Sequence, residues 1–144
     1  MSQALNGSCH CGAVRVSFES PNLDAIQVFA CTCGFCRRHG ARYARDPDGS
    51  LHVTAAPGVL GLYRFGAQAL DFWLCEQCGV LVFASLDTET GPRATLNVSG
   101  TDIEGLKDRP AQSMDFGEQS AEDRAARRQT MWTPLTLVEA SPSA

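Results

Sequence analysis

Apolar and polar residues alternate with a period of two in several short segments of the chain. In residues 14–19, VRVSFE, every second side chain is apolar, and a turn-forming Pro-Asn pair follows. Such alternation is typical of a strand with one buried face. Shorter apolar runs bounded by Gly, Pro or Cys predict further strands at 25–30, 51–54, 59–65, 70–74, 79–86 and 94–98. We therefore expect an all-β fold of antiparallel sheets.

Two segments near the C-terminus depart from this pattern. Residues 118–129 are rich in Ala, Glu and Arg, which favour helices, so they predict one short surface helix. Residues 101–114 combine Gly105, Pro110 and several charges without periodicity, and we interpret them as a long connection that wraps the domain. The length of 144 residues predicts a single domain over residues 1–140, with a frayed tail at 141–144.

The composition and charge of the chain disfavour several classes of protein. Hydrophobic residues make up 44% and charged residues 19% of the chain, values typical of a soluble globular protein. Twelve basic against sixteen acidic residues give a net charge of −4, which disfavours nucleic acid as a partner. The longest apolar run, residues 80–84, is too short to cross a membrane. Residues 1–12 lack a basic segment followed by an apolar block, so we expect a reducing, cytoplasmic location.

Seven cysteines form three clusters and are the main chemical signal. The clusters are Cys9 with Cys11, then Cys31, Cys33 and Cys36, then Cys75 with Cys78. An odd number excludes complete pairing into disulfides within the chain, and a reducing compartment favours metal binding over disulfides. The third cluster reads CxxCG, a spacing that lets two thiolates converge on one ion, as in zinc knuckles.

Seven thiols divide naturally into a set of four and a set of three. Cys9 and Cys11 share with Cys75 and Cys78 a following Gly and strand, so we assign these four to one closed, structural zinc site. Cys31, Cys33 and Cys36 lie within six residues and can present three sulfurs to a second zinc, leaving the fourth position for water or substrate. For the four-cysteine set the alternatives are disulfides or buried free thiols. For the loop they are a second structural zinc completed by His10, His39 or another side chain, or a loop without metal.

The three motifs resemble those of a known family when they are taken in order. The chain shows GxCxCG at residues 7–12, CxCxxC at 31–36 and CxxCG at 75–79. This order resembles the glutathione-dependent formaldehyde-activating enzyme family over roughly residues 7–100. The resemblance implies a β-tent fold of antiparallel sheets, a zinc on the four cysteines and a second zinc on the three-cysteine loop. Thr32 is a departure, because family members often carry His between the first two cysteines of the middle motif.

The resemblance also implies a reaction. The family's namesake activity joins glutathione and formaldehyde into S-hydroxymethylglutathione, so we expect a carbon-sulfur lyase that takes glutathione and a small aldehyde. Three thiolates on one zinc carry a formal charge of −1, which favours handling a thiol over activating water. Four arginines and a histidine follow the loop: Arg37, Arg38, Arg42, Arg45 and His39. The arginines either bind carboxylates of the substrate or form a solvated basic face, and His39 is either an acid-base group or simply exposed.

Two other functions fit the same residues. A noncatalytic, zinc-stabilised binding module is one, since the family also contains centromere protein V. A thiol-redox protein that uses Cys33 and Cys36 is the other. The apolar residues 72–74 and 80–83, together with Trp132, either form a wall beside a ligand or pack in the core, as aromatic residues of β proteins usually do.

Overall fold

The computed structural model describes residues 3–66, 69–114 and 120–139. Its strands are β1 (Gln3–Ser8), β2 (Val14–Ser20), β3 (Val28–Cys31), β4 (Arg42–Ala44), β5 (Ser50–Ala55), β6 (Leu60–Tyr63), β7 (Asp71–Cys75), β8 (Leu81–Thr88), β9 (Gly91–Asn97), β10 (Ala111–Met114) and β11 (Thr133–Glu139). The helices are α1 (Gly34–His39) and α2 (Ala121–Met131), and a single 3-10 turn spans Leu23–Ala25. The fold of the described residues is thus mostly β, with two short helices.

The strands form one branched, mixed sheet. Its main path runs β1-β2-β5-β11-β9-β4-β3-β10, and a branch runs from β9 through β8 and β7 to β6. The expectation of purely antiparallel sheets is wrong at two places, because β11 pairs with β5 and β10 pairs with β3 in parallel. Long excursions of the chain separate the members of each parallel pair, so the chain can return in the same direction. Alternation within a single strand carries no information about that direction.

The predicted strands are present, with shifts of a few residues at their ends. The run predicted at 25–30 divides into the 3-10 turn and β3, and residues 101–114 end in β10 rather than being connection throughout. Four strands were not predicted: β1, β4, β10 and β11. The predicted tail at 141–144 and the first two residues of the helix predicted at 118–129 lie outside the described residues.

The two helices depend on their N-terminal caps. The Ser120 side chain accepts a hydrogen bond from the Asp123 N–H at 3.0 Å and begins α2. Helix α1 was not predicted, because its six residues are too few to show a helical period. The Cys33 sulfur caps it by accepting from the Cys36 N–H, and Gly40 ends it with a φ of 59°. In the described ranges, neither α1 nor α2 combines the length and the hydropathy that a membrane-spanning helix needs.

Two apolar clusters fill the interior. The main core includes the inward faces of β2 and β5, where Val16 lies opposite Val53 and Phe18 lies opposite Leu51. The second cluster contains Cys36 and Tyr43, with five other buried residues: Ala41, Phe72, Leu81, Ala84 and Trp132. Phe72 and Trp132 are therefore packed in the interior, and the three-cysteine loop is built onto this second cluster.

Leu51→Ala tests the importance of the main core. Leu51 has no exposed surface, so its truncation should lower the free energy of unfolding by about 2–5 kcal/mol. Leu62→Ala is the matched control, because Leu62 on β6 is 46% exposed and its loss should change stability by no more than about 0.5 kcal/mol. Urea unfolding of both variants measures the difference. Equal losses would show that the core is not centred on β2 and β5.

Candidate metal centres

The first candidate centre joins two turns that are far apart in the chain. Cys9 and Cys11 lie in the turn between β1 and β2, whereas Cys75 ends β7 and Cys78 lies in the turn before β8. All four sulfurs lie within 4.8 Å of one another. The structure therefore brings together the four cysteines that sequence analysis grouped.

The spacing of these sulfurs fits a tetrahedral metal ion. The Sγ atoms are 3.7 Å apart between Cys9 and Cys11 and 3.6 Å apart between Cys11 and Cys75. Four sulfurs at about 2.3 Å from one zinc would be roughly 3.8 Å apart. The Val14 N–H also donates to the Cys9 sulfur at 3.3 Å, as expected where a thiolate is held for a metal. The donor set and its spacing fit zinc without rearrangement.

Backbone geometry explains why the turns converge. Gly12 and Gly79 have φ values of 81° and 80°, in the left-handed region that glycine adopts without strain. Gly12 donates its N–H to the Cys9 carbonyl, and Gly79 donates to the Cys75 carbonyl. Each glycine closes a tight turn that points two sulfurs in the same direction, which is the physical basis of the shared CG pattern.

The surroundings of Cys75 and Cys78 shift their pKa values in opposite directions. Burial raises the pKa of Cys75 to about 12. Burial also raises the pKa of Cys78, but hydrogen bonds from the backbone N–H groups of Cys11 and Val80 outweigh it and lower the pKa to about 6. The backbone is thus arranged to stabilise negative charge on sulfur. A divalent metal that binds all four sulfurs must displace the remaining protons.

The second candidate centre is local. Cys31 ends β3, Cys33 is the cap of α1 and Cys36 lies in its first turn, and the three sulfurs lie within 4.8 Å of one another. No His, Cys, Asp or Glu from the described ranges 3–66, 69–114 and 120–139 joins them as a fourth ligand. His39, an alternative fourth ligand, instead packs against the Phe35 ring at 4.7 Å. Three protein ligands leave one coordination position open to another molecule.

Tyr43 is a buried polar neighbour of this second centre. Its hydroxyl lies 3.2 Å from the Cys36 sulfur, and both residues are buried. The pKa of Tyr43 is raised well above its usual value, chiefly by burial and then by the charge of Cys36. The pKa of Cys36 is also raised, chiefly by its hydrogen bond with Cys31 and then by burial. The Tyr43 hydroxyl therefore stays protonated at neutral pH and can donate a hydrogen bond to the Cys36 sulfur.

Aromatic side chains cover one side of the three-cysteine loop. Phe35, between Cys33 and Cys36, has its ring centroid 5.1 Å from Tyr63, 5.2 Å from Phe65 and 4.9 Å from Phe72. Sequence analysis did not single out Phe35, Tyr63 or Phe65, because they come from two separate segments that only the fold brings together. These rings limit the access of water to that side of the loop.

Three of the four arginines that follow the loop have partners within the protein. Arg38 donates to the Gly34 carbonyl at 3.0 Å, and Arg42 donates to the carbonyls of Lys107 and Arg109, so both have structural partners. Arg45 places its guanidinium 4.5 Å from the centroid of the Phe29 ring.

Helix α2 supplies two further arginines that sequence analysis missed. Burial lowers the pKa of Arg127 and Arg128, while the charge of Cys31 acts in the opposite direction on both. The charge of Cys31 thus favours the protonated form of both guanidinium groups. The adjacent arginines on one predicted helix were the available signal.

Cysteine substitutions test the division into two centres. Cys75→Ser removes a buried ligand of the four-cysteine set and should unfold the protein, whereas replacing Cys31, Cys33 and Cys36 together by Ser should remove one of two bound zinc ions and leave the fold intact. Zinc per chain and circular dichroism measure both effects. Retention of both zinc ions by the triple variant would contradict the division.

Comparison with known proteins gives a matching family and a related structure. The family model described as glutathione-dependent formaldehyde-activating enzyme matches residues 4–116. The chain is also similar to the crystal structure of a Rhodobacter sphaeroides protein from structural genomics. The TM-score is 0.58 and the identity 32%, over 76% of this chain and 99% of the other. With a family model matching most of its length, including all seven cysteines, this chain belongs to the glutathione-dependent formaldehyde-activating enzyme family.

Proposed function

We propose that the protein is a zinc-dependent carbon-sulfur lyase that forms S-hydroxymethylglutathione, or the adduct of a related thiol with another small aldehyde. The open set of three sulfurs at Cys31, Cys33 and Cys36 carries this proposal. Family membership supports it, since the family is described by this chemistry. The β-tent description of the sheet and a cytoplasmic location belong to the same proposal. None of the seven cysteines, all of which lie in the described ranges, forms a disulfide, as expected in a reducing compartment.

Each centre would hold one zinc with a different role. Cys9, Cys11, Cys75 and Cys78 supply four sulfurs and complete the coordination of a structural ion. Cys31, Cys33 and Cys36 supply three, so a zinc there would offer its remaining position to a substrate thiol and favour the thiolate form at neutral pH.

The overall reaction is an addition. The glutathione sulfur forms a bond with the formaldehyde carbon, the carbonyl π bond breaks, and the thiol proton is transferred to the resulting oxygen. The chain must bind the thiol close to the aldehyde and restrict water, which otherwise competes for the aldehyde. The rings of Phe35 and Phe72 form an apolar side of the loop that serves this second need.

Tyr43 would keep the ligand set in place. Its hydroxyl, 3.2 Å from the Cys36 sulfur, can donate a hydrogen bond that reduces the charge on that sulfur. A less electron-rich ligand set leaves the remaining coordination position better able to stabilise a substrate thiolate. We therefore assign Tyr43 a positioning role, because its contact is with a ligand rather than with substrate.

Exchange spectroscopy tests the activity directly. Glutathione and formaldehyde combine without a catalyst, so the measurement is the rate of exchange between free and combined forms by NMR. The zinc-loaded protein should raise that rate in proportion to its concentration. The triple variant Cys31→Ser, Cys33→Ser and Cys36→Ser, which keeps the four-cysteine set, should return the rate to the uncatalysed value.

Two results would contradict the proposal. If the wild-type protein binds two zinc ions yet leaves the exchange rate unchanged with glutathione and other small thiols, a noncatalytic binding module would be the better description. If mild oxidation reversibly links Cys33 to Cys36 and no second zinc binds, the loop would be a redox site instead.

A further inference from the structure

Three aromatic rings beside the three-cysteine loop form one continuous patch. The Phe35 ring is stacked on Tyr63, with the two planes 27° apart, and the Phe65 centroid lies 5.2 Å from Phe35 and 5.7 Å from Tyr63. Phe72 is buried and packs against Phe35 at 4.9 Å and against Phe65 at 5.1 Å. It therefore anchors the three outer rings, Phe35, Tyr63 and Phe65, which together are the aromatic patch.

The aromatic patch keeps part of its surface open to solvent. Tyr63 is 47% exposed, and Phe35 and Phe65 are half-buried. Tyr63 ends β6, which among the described strands pairs with β7 alone and so forms the end of the branch. Single exposed apolar side chains are common on proteins, whereas adjoining exposed rings are typical of a binding surface, because a ligand that covers them releases water.

The aromatic patch offers apolar contact rather than charge. Arg64, in the same segment as two of the rings, donates to the Asp71 carboxylate at 2.6 Å, so its charge is compensated. The His39 ring adds a further flat surface, 4.7 Å from Phe35. Aromatic rings bind other rings in offset-stacked or edge-to-face arrangements. The patch therefore suits a flat apolar group better than an ion.

The patch begins on the loop that carries the three sulfurs. Phe35 follows Cys33 by two residues and immediately precedes Cys36 in α1. Cys36 is buried beside Tyr43, whereas Cys33 is half-buried, so the loop is open on the side of Cys33. A molecule that takes the fourth position on an ion held there would enter from this side. Because Phe35 lies between the two cysteines in the helix, such a molecule would meet the patch.

The two substrates of the proposed addition depend on the site in different ways. The thiol is held at the open position of the three-cysteine set. Its sulfur bonds to the aldehyde carbon, the electron pair of the carbonyl π bond moves to the oxygen, and that oxygen takes up the proton released by the thiol. The aldehyde has no ligand position of its own, so the protein surface beside the loop must hold it in place. Formaldehyde carries no group that could contact the rings.

We propose that the aromatic patch is the subsite for the apolar group of the aldehyde, and that the preferred aldehydes carry an aromatic ring. Phe35 and Tyr63 are then specificity-determining residues. The inference rests on the proposed function, which supplies the thiol and the addition. It deepens that function by naming the class of aldehyde.

Exchange rates with two matched aldehydes test the proposal on the zinc-loaded protein. Phenylacetaldehyde and acetaldehyde differ by one phenyl ring, and glutathione is the thiol in both reactions. Each catalysed kcat/KM is divided by the uncatalysed rate constant of the same aldehyde, which removes the difference in intrinsic reactivity. The ratio should be at least about 10-fold higher for phenylacetaldehyde, because the phenyl ring is buried on binding.

Variants of β6 locate the preference. Tyr63→Ala should lower kcat/KM for phenylacetaldehyde about 3- to 10-fold and leave acetaldehyde unchanged, because only the former loses a stacking partner. Tyr63→Phe keeps the ring and should keep the preference. Leu62→Ala is the matched control: Leu62 is the preceding residue, is 46% exposed and projects from the opposite face of β6. It should leave both aldehydes unchanged.

A binding measurement does not depend on catalysis. 2-Phenylethanol has the carbon skeleton of phenylacetaldehyde but no carbonyl group, so it cannot react with a thiol. Saturation-transfer NMR should show transfer from the protein to its ring protons with the wild-type protein and with Leu62→Ala. The transfer should be largely lost with Tyr63→Ala.

Three results would overturn the proposal. The first is an equal ratio for the two aldehydes with the wild-type protein, a comparison that needs no variant. The second is a preference that Tyr63→Ala leaves unchanged. The third is a dimer that sedimentation detects and Tyr63→Ala dissociates, with both aldehydes used equally, since the patch would then bind a second copy of the chain.

The failures of the two proposals are distinguishable. Binding of 2-phenylethanol that depends on Tyr63, without catalysed exchange of any aldehyde, would support the apolar subsite and contradict the proposed activity. Catalysed exchange of formaldehyde, with no preference between the two larger aldehydes, would support the activity and overturn the subsite. If the wild-type protein neither binds 2-phenylethanol nor catalyses exchange, both proposals are wrong.

Discussion

The convergence of four cysteine sulfurs from two distant turns is the constraint on which the rest of the structure depends. Cys11 and Cys75 are 64 residues apart in the chain, yet their sulfurs are 3.6 Å apart. Strand β2 belongs to the main path of the sheet and β7 to its branch, so no direct strand pairing joins them. A metal on these sulfurs closes a long loop and reduces the conformational freedom of the unfolded chain. The same closure holds the branch against the main path.

The second centre depends on that arrangement without sharing its ligands. The branch strands β7 and β8 bring Phe72 and Leu81 into one cluster with Tyr43 of β4, on the main path, and with Cys36 of α1, which connects β3 to β4. The three-cysteine loop thus lies on a cluster assembled from both parts of the sheet. By stabilising this packing, the four-cysteine centre also holds in place the three-cysteine centre, which supplies only three ligands. The zinc proposed for the three-cysteine loop would then exchange ligands without unfolding the protein.

Sequence analysis predicted the part of the site that local patterns encode. The pairing of CG motifs predicted that Cys9 and Cys11 meet Cys75 and Cys78, because each glycine closes the same kind of turn. Alternation predicted β2 and a short apolar run predicted β5, whose inward residues form part of the main core. The parallel pairing of β5 with β11 could not be predicted, since strand direction depends on how the whole chain returns. Arg42 and Arg127 show the same limit, because only the fold decides which arginine bonds to a nearby carbonyl and which is affected by the charge of Cys31.

The central claim is that two zinc ions occupy chemically different sulfur sets, and X-ray absorption at the zinc edge tests it most directly. Zinc in the fully loaded protein should have sulfur neighbours at about 2.3 Å, averaging about 3.5 per zinc, with a lighter atom completing one site. In the variant that lacks the three thiols of the loop, the average should rise to about four, because only the closed set remains. An unchanged average, or nitrogen ligands at both ions, would contradict the account.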